Sequence, residues 1–217
     1  MNKQLITILA FIGAASSALA TLDVVLPGNS EEAYWDGLIE DNHPGYPVFA
    51  TSGNPWPAPI IPSLITPGSE VPEFDKVAGY GYPAGAGIYV GSNTGFLTGT
   101  YQVSVDSALT GLETVIFQID ESEYYSTPTF SYNNGEGTVE ASYSATSIGY
   151  YQWDLTGVAS EILSFAIEWE AAAHSSITAL QLNQGDTYVQ VVPEPSTYAL
   201  LAGVACGALI LMRRQRR

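Results

Sequence analysis

The clearest regularity of this sequence is an alternation of apolar and polar residues in its second half. A period of two places one set of side chains on a buried face and the other toward solvent, as in half-buried antiparallel strands. Residues 94–191 are therefore predicted to form successive strands. The apolar members of the alternating segments are Tyr101, Val103 and Val105; Val115, Phe117 and Ile119; Tyr151, Trp153 and Leu155; and Phe165, Ile167 and Trp169.

Two local features refine this strand prediction. Residues 133–137 read Asn-Asn-Gly-Glu-Gly between two alternating segments, 130–132 and 139–143, which predicts a hairpin. Residues 177–182 change the phase of their alternation, and a β-bulge near residues 179–180 would reconcile the two phases.

Residues 27–93 differ in composition, because they hold ten of the 13 prolines together with many glycines. No sustained periodicity survives there, so loops with short strands are predicted. The zone is also rich in aromatic residues, and we expect it to pack against the rest of the domain. Short strands are predicted at residues 22–26 and 188–192. Closely spaced strands separated by turn residues favour an all-β fold over residues 21–191, an antiparallel β-sandwich of jelly-roll type.

The first 20 residues have the organisation of a signal peptide. Lys3 precedes an apolar stretch over residues 5–15, and Ala18, Leu19 and Ala20 form a small-x-small cleavage site. Thr21 is therefore the predicted first residue of the exported domain.

The other end of the chain combines a Pro-Glu-Pro triplet, Pro193, Glu194 and Pro195, with an uncharged apolar run over residues 198–212. As a helix the run would reach about 22 Å, short of a hydrocarbon core of ~30 Å, so it is a marginal membrane helix. A terminal basic cluster would hold the C-terminus in the cytoplasm. The cluster consists of Arg213, Arg214, Arg216 and Arg217.

This combination resembles the PEP-CTERM sorting signal of Gram-negative bacteria, and the resemblance covers residues 192–217 only. It implies recognition by exosortase, a membrane protease or transpeptidase, during transient residence in the inner membrane. It also implies delivery to the cell surface or the extracellular matrix, where such proteins are often associated with exopolysaccharide.

The exported part of the chain is strongly acidic. Residues 21–191 carry 21 acidic residues against one cation, Lys76, which gives a net charge of −20 with histidines neutral. Nucleic-acid binding is excluded because a phosphate-binding surface needs clustered Lys and Arg. The one cysteine, Cys206, lies in the apolar run. The exported domain therefore has no disulfide, and core burial must stabilise it.

Clustered carboxylate side chains are potential ligands of Ca²⁺. Asp120, Glu121 and Glu123 form the candidate metal site, although the spacing is not that of an EF-hand loop. The favoured alternative is that the acidic residues keep the protein soluble in a saline habitat.

No catalytic motif is present in the sequence. His43 and His174 have no second histidine at metal-ligand spacing, and no serine stands in a Gly-x-Ser-x-Gly frame. A glycoside hydrolase or lyase of sandwich fold is an alternative, because Glu168 and Glu170 lie two apart on one strand face. The segment departs from the Glu-x-Asp-x-x-Glu strand of jelly-roll glycosidases at its central and last acidic positions.

Carbohydrate binding without hydrolysis fits the composition better, since aromatic rings stack on sugars. We therefore predict a non-enzymatic surface or matrix protein of structural or adhesive role, associated with polysaccharide. The alternative is a carbohydrate-binding module with Ca²⁺ on its loops. The candidate ligand-binding residues are Trp35, Trp56, Tyr80, Tyr82, Tyr124 and Tyr125.

Overall fold

The structure, a computed structural model, describes residues 24–91, 97–121, 126–146 and 149–190. Two 3₁₀ turns, Glu40–Asn42 and Phe49–Thr51, accompany the strands of this part of the chain. The strands are β1 Ser30–Trp35, β2 Leu64–Ile65, β3 Glu73–Gly79, β4 Tyr82–Ala84, β5 Gly87–Tyr89, β6 Gly99–Val105, β7 Thr114–Glu121, β8 Thr129–Tyr132, β9 Gly137–Val139, β10 Tyr143–Ala145, β11 Tyr150–Asp154, β12 Phe165–Ala171 and β13 Ser176–Gly185.

These strands form two antiparallel sheets, so the prediction of an all-β fold is confirmed. The larger sheet has the order β10-β11-β7-β13-β1-β2, and β5 pairs with both β13 and β4. The smaller sheet has the order β3-β6-β12-β8-β9. Within the described residues no helix has the length and apolarity needed to cross a membrane. The predicted signal peptide and the sorting tail lie outside these residues.

The alternation of apolar residues builds one core between the two sheets. Trp169 of the smaller sheet packs against Phe117 of the larger one, with ring centroids 5.3 Å apart. Phe130 and Trp153 join the sheets in the same way at 5.5 Å. All four side chains are buried, and burial of one such side chain stabilises the fold by about 2 kcal/mol.

The predicted hairpin and β-bulge are both present, but the hairpin is shorter than predicted and the bulge lies at an earlier residue. Strands β8 and β9 pair around a turn in which Asn133 and Asn134 have positive φ angles of 48° and 57°. The predicted extension to Tyr143 is wrong, because Tyr143 begins β10 in the other sheet. The irregularity in β13 lies between Ile177 and Ala179, slightly earlier than predicted.

The strands predicted at residues 22–26 and 188–192 are wrong for the part that the structure describes. Residues 24–26 and 186–190 form no strand. Val24 and Leu26 pack with other side chains in a second, smaller apolar cluster. The Val189 carbonyl accepts a hydrogen bond from Gln152 Nε2 at 2.8 Å. Both segments therefore pack against the larger sheet but add no strand to it.

The loop-rich zone packs on the domain, as its aromatic content predicts. The segment after Pro59 joins both sheets, because Ile60 bridges to Phe74 of β3 and β2 pairs with β1. Lys76 fixes a second part of the zone, since its Nζ donates to the carbonyls of Ser52, Asn54 and Gly81 at 2.6, 2.6 and 3.2 Å.

A cleft of carboxylates and aromatic rings as the candidate functional site

A surface cleft of about 380 Å³ lies between the turn that follows β1 and strand β4. Its volume falls in the range of small-molecule sites. The cleft is lined by Glu40, Asp41, His43, Pro44, Gly45, Tyr46, Pro47, Val48 and Pro83.

Local hydrogen bonds shape the turn that supplies most of this lining. The His43 amide donates to the Glu40 carbonyl at 3.1 Å, which closes the 3₁₀ turn. The Asn42 side chain donates to the Gly37 carbonyl at 2.7 Å. A bridge between Ile39 and Ala84 then holds the turn beside β4. The carboxylates of the turn are thereby fixed next to the strand that completes the cleft.

The cleft is lined by both carboxylate groups and aromatic rings. Glu40 and Asp41 are exposed, whereas His43 and Tyr46 are half-buried with ring centroids 5.4 Å apart. Burial lowers the pKa of His43, so its imidazole is neutral at pH 7. Burial, and secondarily the charge of Asp75, raises the pKa of Tyr46, whose hydroxyl donates to the Ala58 carbonyl at 2.8 Å. At neutral pH the turn therefore presents negative charge.

A cluster of partly exposed rings, the aromatic platform, consists of Phe49, Tyr82 and Tyr89, and Phe49 and Tyr82 are the chain neighbours of the lining residues Val48 and Pro83. Phe49 and Tyr82 lie 5.7 Å apart, and Tyr82 and Tyr89 lie 5.8 Å apart. The Tyr89 hydroxyl and His174 Nδ1 are 2.5 Å apart. Burial raises the pKa of Tyr82, and the nearby Tyr89 and Glu40 raise it further. Glu40 therefore lies close enough to Tyr82 for its charge to act on the phenol.

The structure separates the predicted ligand-binding aromatic residues. Trp35 is fully buried and donates to the Ile60 carbonyl at 2.9 Å, and Trp56 is 7% exposed and donates to the Gly81 carbonyl at 3.1 Å. Both indole rings are thus core residues rather than surface residues that could stack on a ligand.

The predicted tyrosines fall into three groups. Tyr80 is half-buried and its carbonyl accepts the Tyr101 hydroxyl, so it supports β6. Tyr82 belongs to the aromatic platform. Tyr124 and Tyr125 lie outside the described residues.

Strand alternation separates the predicted metal ligands. Asp120 and Glu121 are consecutive in β7, so their side chains leave opposite faces of the sheet. Asp120 Oδ2 accepts the Thr178 hydroxyl at 2.5 Å, and Glu123 lies outside the described residues. Among the described residues no three His, Asp or Glu side chains are grouped so that they could hold a metal ion.

Glu121 instead continues the core-facing row of β7. Both of its carboxyl oxygens are buried and make no hydrogen bond of ordinary geometry. Burial raises the pKa of this carboxyl group to about 8, and the nearby Ser175 hydroxyl acts in the opposite direction. Glu121 is therefore protonated at neutral pH, although it lies outside the cleft.

The glutamates considered for glycoside hydrolysis face solvent on the smaller sheet. Glu168 and Glu170 are exposed on β12, where they pair in register with Gln102 and Thr100 of β6. Neither residue lines the cleft.

Sequence patterns did not single out the residues that form the cleft. Most of the lining lies within residues 40–48, but strand β4 is far along the chain and its position depends on tertiary pairing. The nearest available signal was the coincidence of two carboxylates, a histidine and Tyr46 within seven residues.

Comparison of this sequence with models of known protein families gives no match, and neither the curated proteins nor the solved structures compared with it give a significant one.

Proposed function

We propose that this chain is an exported protein that holds polysaccharide at the cell surface, in a structural or adhesive role. The observation that carries the proposal is the cleft, which Glu40, Asp41 and Tyr46 line, together with the aromatic platform, whose Tyr82 lies near Glu40. Sugar-binding sites combine ring faces that stack on the sugar with polar groups that bind its hydroxyls. Two such elements side by side on an open surface favour an extended saccharide as the ligand.

The terminal segments supply the proposed route to the surface. Residues 1–20 would direct export, and residues 192–217 would be recognised by an exosortase-like enzyme in the inner membrane. The two-sheet fold would belong to the jelly-roll sandwiches, because the chain passes from sheet to sheet between β6 and β7, β7 and β8, and β12 and β13.

The proposal includes no catalytic step. Glycoside hydrolysis needs a carboxylic acid that is protonated beside the glycosidic bond. Among the described residues, the carboxyl group with a strongly raised pKa is that of Glu121, which is buried between the sheets and does not line the cleft. The arrangement thus favours binding over turnover.

The proposal is tested by binding of the full chain, in an uncharged detergent, to a glycan array. The binding is measured once with Ca²⁺ and once with a chelator. We expect retention of at least one polysaccharide in both conditions, and loss of that retention for Phe49→Ala, which removes a platform ring. Leu163→Ala is the matched control, because Leu163 is an exposed apolar residue just before β12. Retention of no saccharide would contradict the proposal, and retention only with Ca²⁺ would favour a calcium-dependent binding module.

A further inference from the structure

The charges around the cleft restrict the kind of polysaccharide that it can bind. Glu40 and Asp41 are exposed at the cleft, and the neutral imidazole of His43 adds no positive charge at pH 7. Lys76 is the one Lys or Arg of the described residues, and it is 6% exposed with its ammonium group on three carbonyls. The described surface therefore has no lysine or arginine available to a ligand.

An anionic polysaccharide meets an unfavourable field at this site. Residues 21–191 carry a net charge of −20, which repels a polyanion at long range. Uronate and sulfate groups are recognised mainly by Arg and Lys, and these are missing from the described surface. A neutral polymer meets no such repulsion, but it leaves the two cleft carboxylates without an ionic partner.

A polysaccharide with free amino groups matches both elements of the site. An ammonium group on the sugar can form charge-assisted hydrogen bonds with Glu40 and Asp41. Ammonium groups are also attracted to the faces of Tyr and Phe rings within about 6 Å. Tyr46 lies in the cleft, and the ring of Tyr82, which contacts Phe49, lies near the Glu40 carboxylate.

We infer that the ligand of the cleft is a polysaccharide of amino sugars whose amines are free and positively charged. This inference rests on the proposed function, since it names the chemical class of the polysaccharide. The carboxylates of Glu40 and Asp41 bind the ammonium groups, and the aromatic platform stacks on the neighbouring sugar rings. Attraction between the acidic domain and the cationic polymer also accelerates their encounter.

The test measures the binding of three soluble saccharides of similar length to the full chain, in an uncharged detergent at about pH 6, where the sugar amines are mostly protonated. The saccharides are chitosan oligomers, their fully N-acetylated counterparts and oligouronates. We expect chitosan oligomers to bind at least about tenfold more tightly than the N-acetylated oligomers, and oligouronates not to bind. The double variant Glu40→Gln and Asp41→Asn should lose about tenfold in affinity for chitosan. The control Glu168→Gln and Glu170→Gln removes the same charge from the outer face of β12 and should stay within about twofold.

The outcomes separate this inference from the proposed function. Equal binding of the free-amine and N-acetylated oligomers would overturn the inference and leave the proposed function standing. An equal loss in the cleft variant and in the β12 control would also overturn it, since attraction would then be general to the acidic surface. If none of the three saccharide classes binds, the inference fails, and the glycan array decides the proposed function separately.

Discussion

At the scale of single residues, Lys76 is a charged side chain with a structural role in the core. It stands at a core-facing position of β3, where an apolar residue is usual, and its pairing partner in β6 is Tyr101. Burial lowers the pKa of Lys76 to about 8, against the opposing charge of Asp75. At pH 7 the ammonium group is therefore charged, and its three N–H donors match the three carbonyl acceptors.

Replacing Lys76 with Met tests this role. The methionine keeps most of the apolar stem but removes three hydrogen bonds from a charged donor, so we expect a loss of about 2 kcal/mol in the free energy of unfolding. Urea unfolding at pH 7 measures the change. Val77→Met is the control, because Val77 is the next residue in β3 and is 52% exposed. A Lys76→Met protein as stable as the control would contradict the assignment.

The buried carboxyl group of Glu121 makes stability depend on pH. Its pKa is about 8 in the folded chain and near its ordinary value of 4.5 in the unfolded chain. Between these two values the folded state holds a proton that the unfolded state has lost, so the free energy of unfolding falls as pH rises from about 4.5 to about 8. Above pH 8 this contribution is constant.

Glu121→Gln should remove this part of the pH dependence. We expect the variant to gain about 4 kcal/mol relative to wild type between pH 5 and pH 8.5, because each pH unit of the interval contributes about 1.4 kcal/mol and the amide cannot ionise. Urea midpoints at the two pH values measure the difference, and Glu140→Gln, at an exposed position, should keep the wild-type slope. Parallel pH profiles for wild type and Glu121→Gln would refute the explanation.

Sequence reasoning at this scale identified Glu121 but assigned it to a metal site. The strand register explains the difference, since consecutive acidic residues in β7 leave opposite faces and one of them must enter the core. The importance of Lys76 was not visible in the sequence either. Its partners are backbone carbonyls, which every residue has and no sequence pattern marks.

At the scale of elements, Asn133 holds the β8–β9 hairpin to the segment before β12. Its Nδ2 donates to Glu136 Oε2 and to the Glu161 carbonyl, both at 2.9 Å. Its Oδ1 accepts from the Leu163 amide at 2.8 Å. The same side chain thus stabilises the turn and orients the entry into β12.

Substitutions at the two asparagines of this turn separate hydrogen bonding from backbone strain. Asn133→Ala loses these bonds at a positive φ, and we expect a loss of about 2 kcal/mol in stability. Asn134→Ala shares the positive φ, and no side-chain hydrogen bond of Asn134 is present among the described contacts, so about 1 kcal/mol is expected. Thermal unfolding of both variants measures the two losses of stability. Equal losses for Asn133→Ala and Asn134→Ala would show that Asn133 acts through its backbone conformation alone.

The alternation of apolar and polar residues was sufficient to predict the strands whose side chains form the core. Tyr101, Trp153 and Trp169 all lie on the buried faces that their alternation predicts. It did not locate β1 within the proline-rich zone, for which short strands were predicted without positions, and it was wrong for the described parts of the terminal strands. β1 enters the larger sheet by pairing with β13 on one side and with β2 on the other, and both partners are distant in the sequence. Such tertiary choices are not encoded in a local period of two.

At the scale of the whole molecule, the net charge of residues 21–191 predicts a stability that rises with salt. With one buried cation there are few attractive pairs to screen, so added ions mainly weaken repulsion between carboxylates. We expect Tm to rise by about 3 °C between 0.05 and 0.5 M NaCl, measured by thermal unfolding of the full chain in detergent. A Tm that falls with NaCl over this range would contradict the account.

The class of the fold could be predicted from the sequence, but the assignment of strands to sheets could not. Consecutive strands such as β6 and β7 belong to different sheets, while β8 and β9 pair directly. The cleft arises at this scale, because the turn after β1 meets β4 only when both have joined the larger sheet. Of the aromatic residues predicted for a ligand site, Tyr82 belongs to the aromatic platform, and none of the residues that line the cleft was predicted.

The central claim is that a saccharide binds at the cleft and the aromatic platform. Hydrogen exchange of the full chain, with and without a saturating saccharide that it retains, tests this most directly. The account predicts slower exchange for amides in residues 39–49 and 82–89, and unchanged exchange in β12. Protection confined to the outer face of the smaller sheet, with no change at residues 39–49, would contradict it.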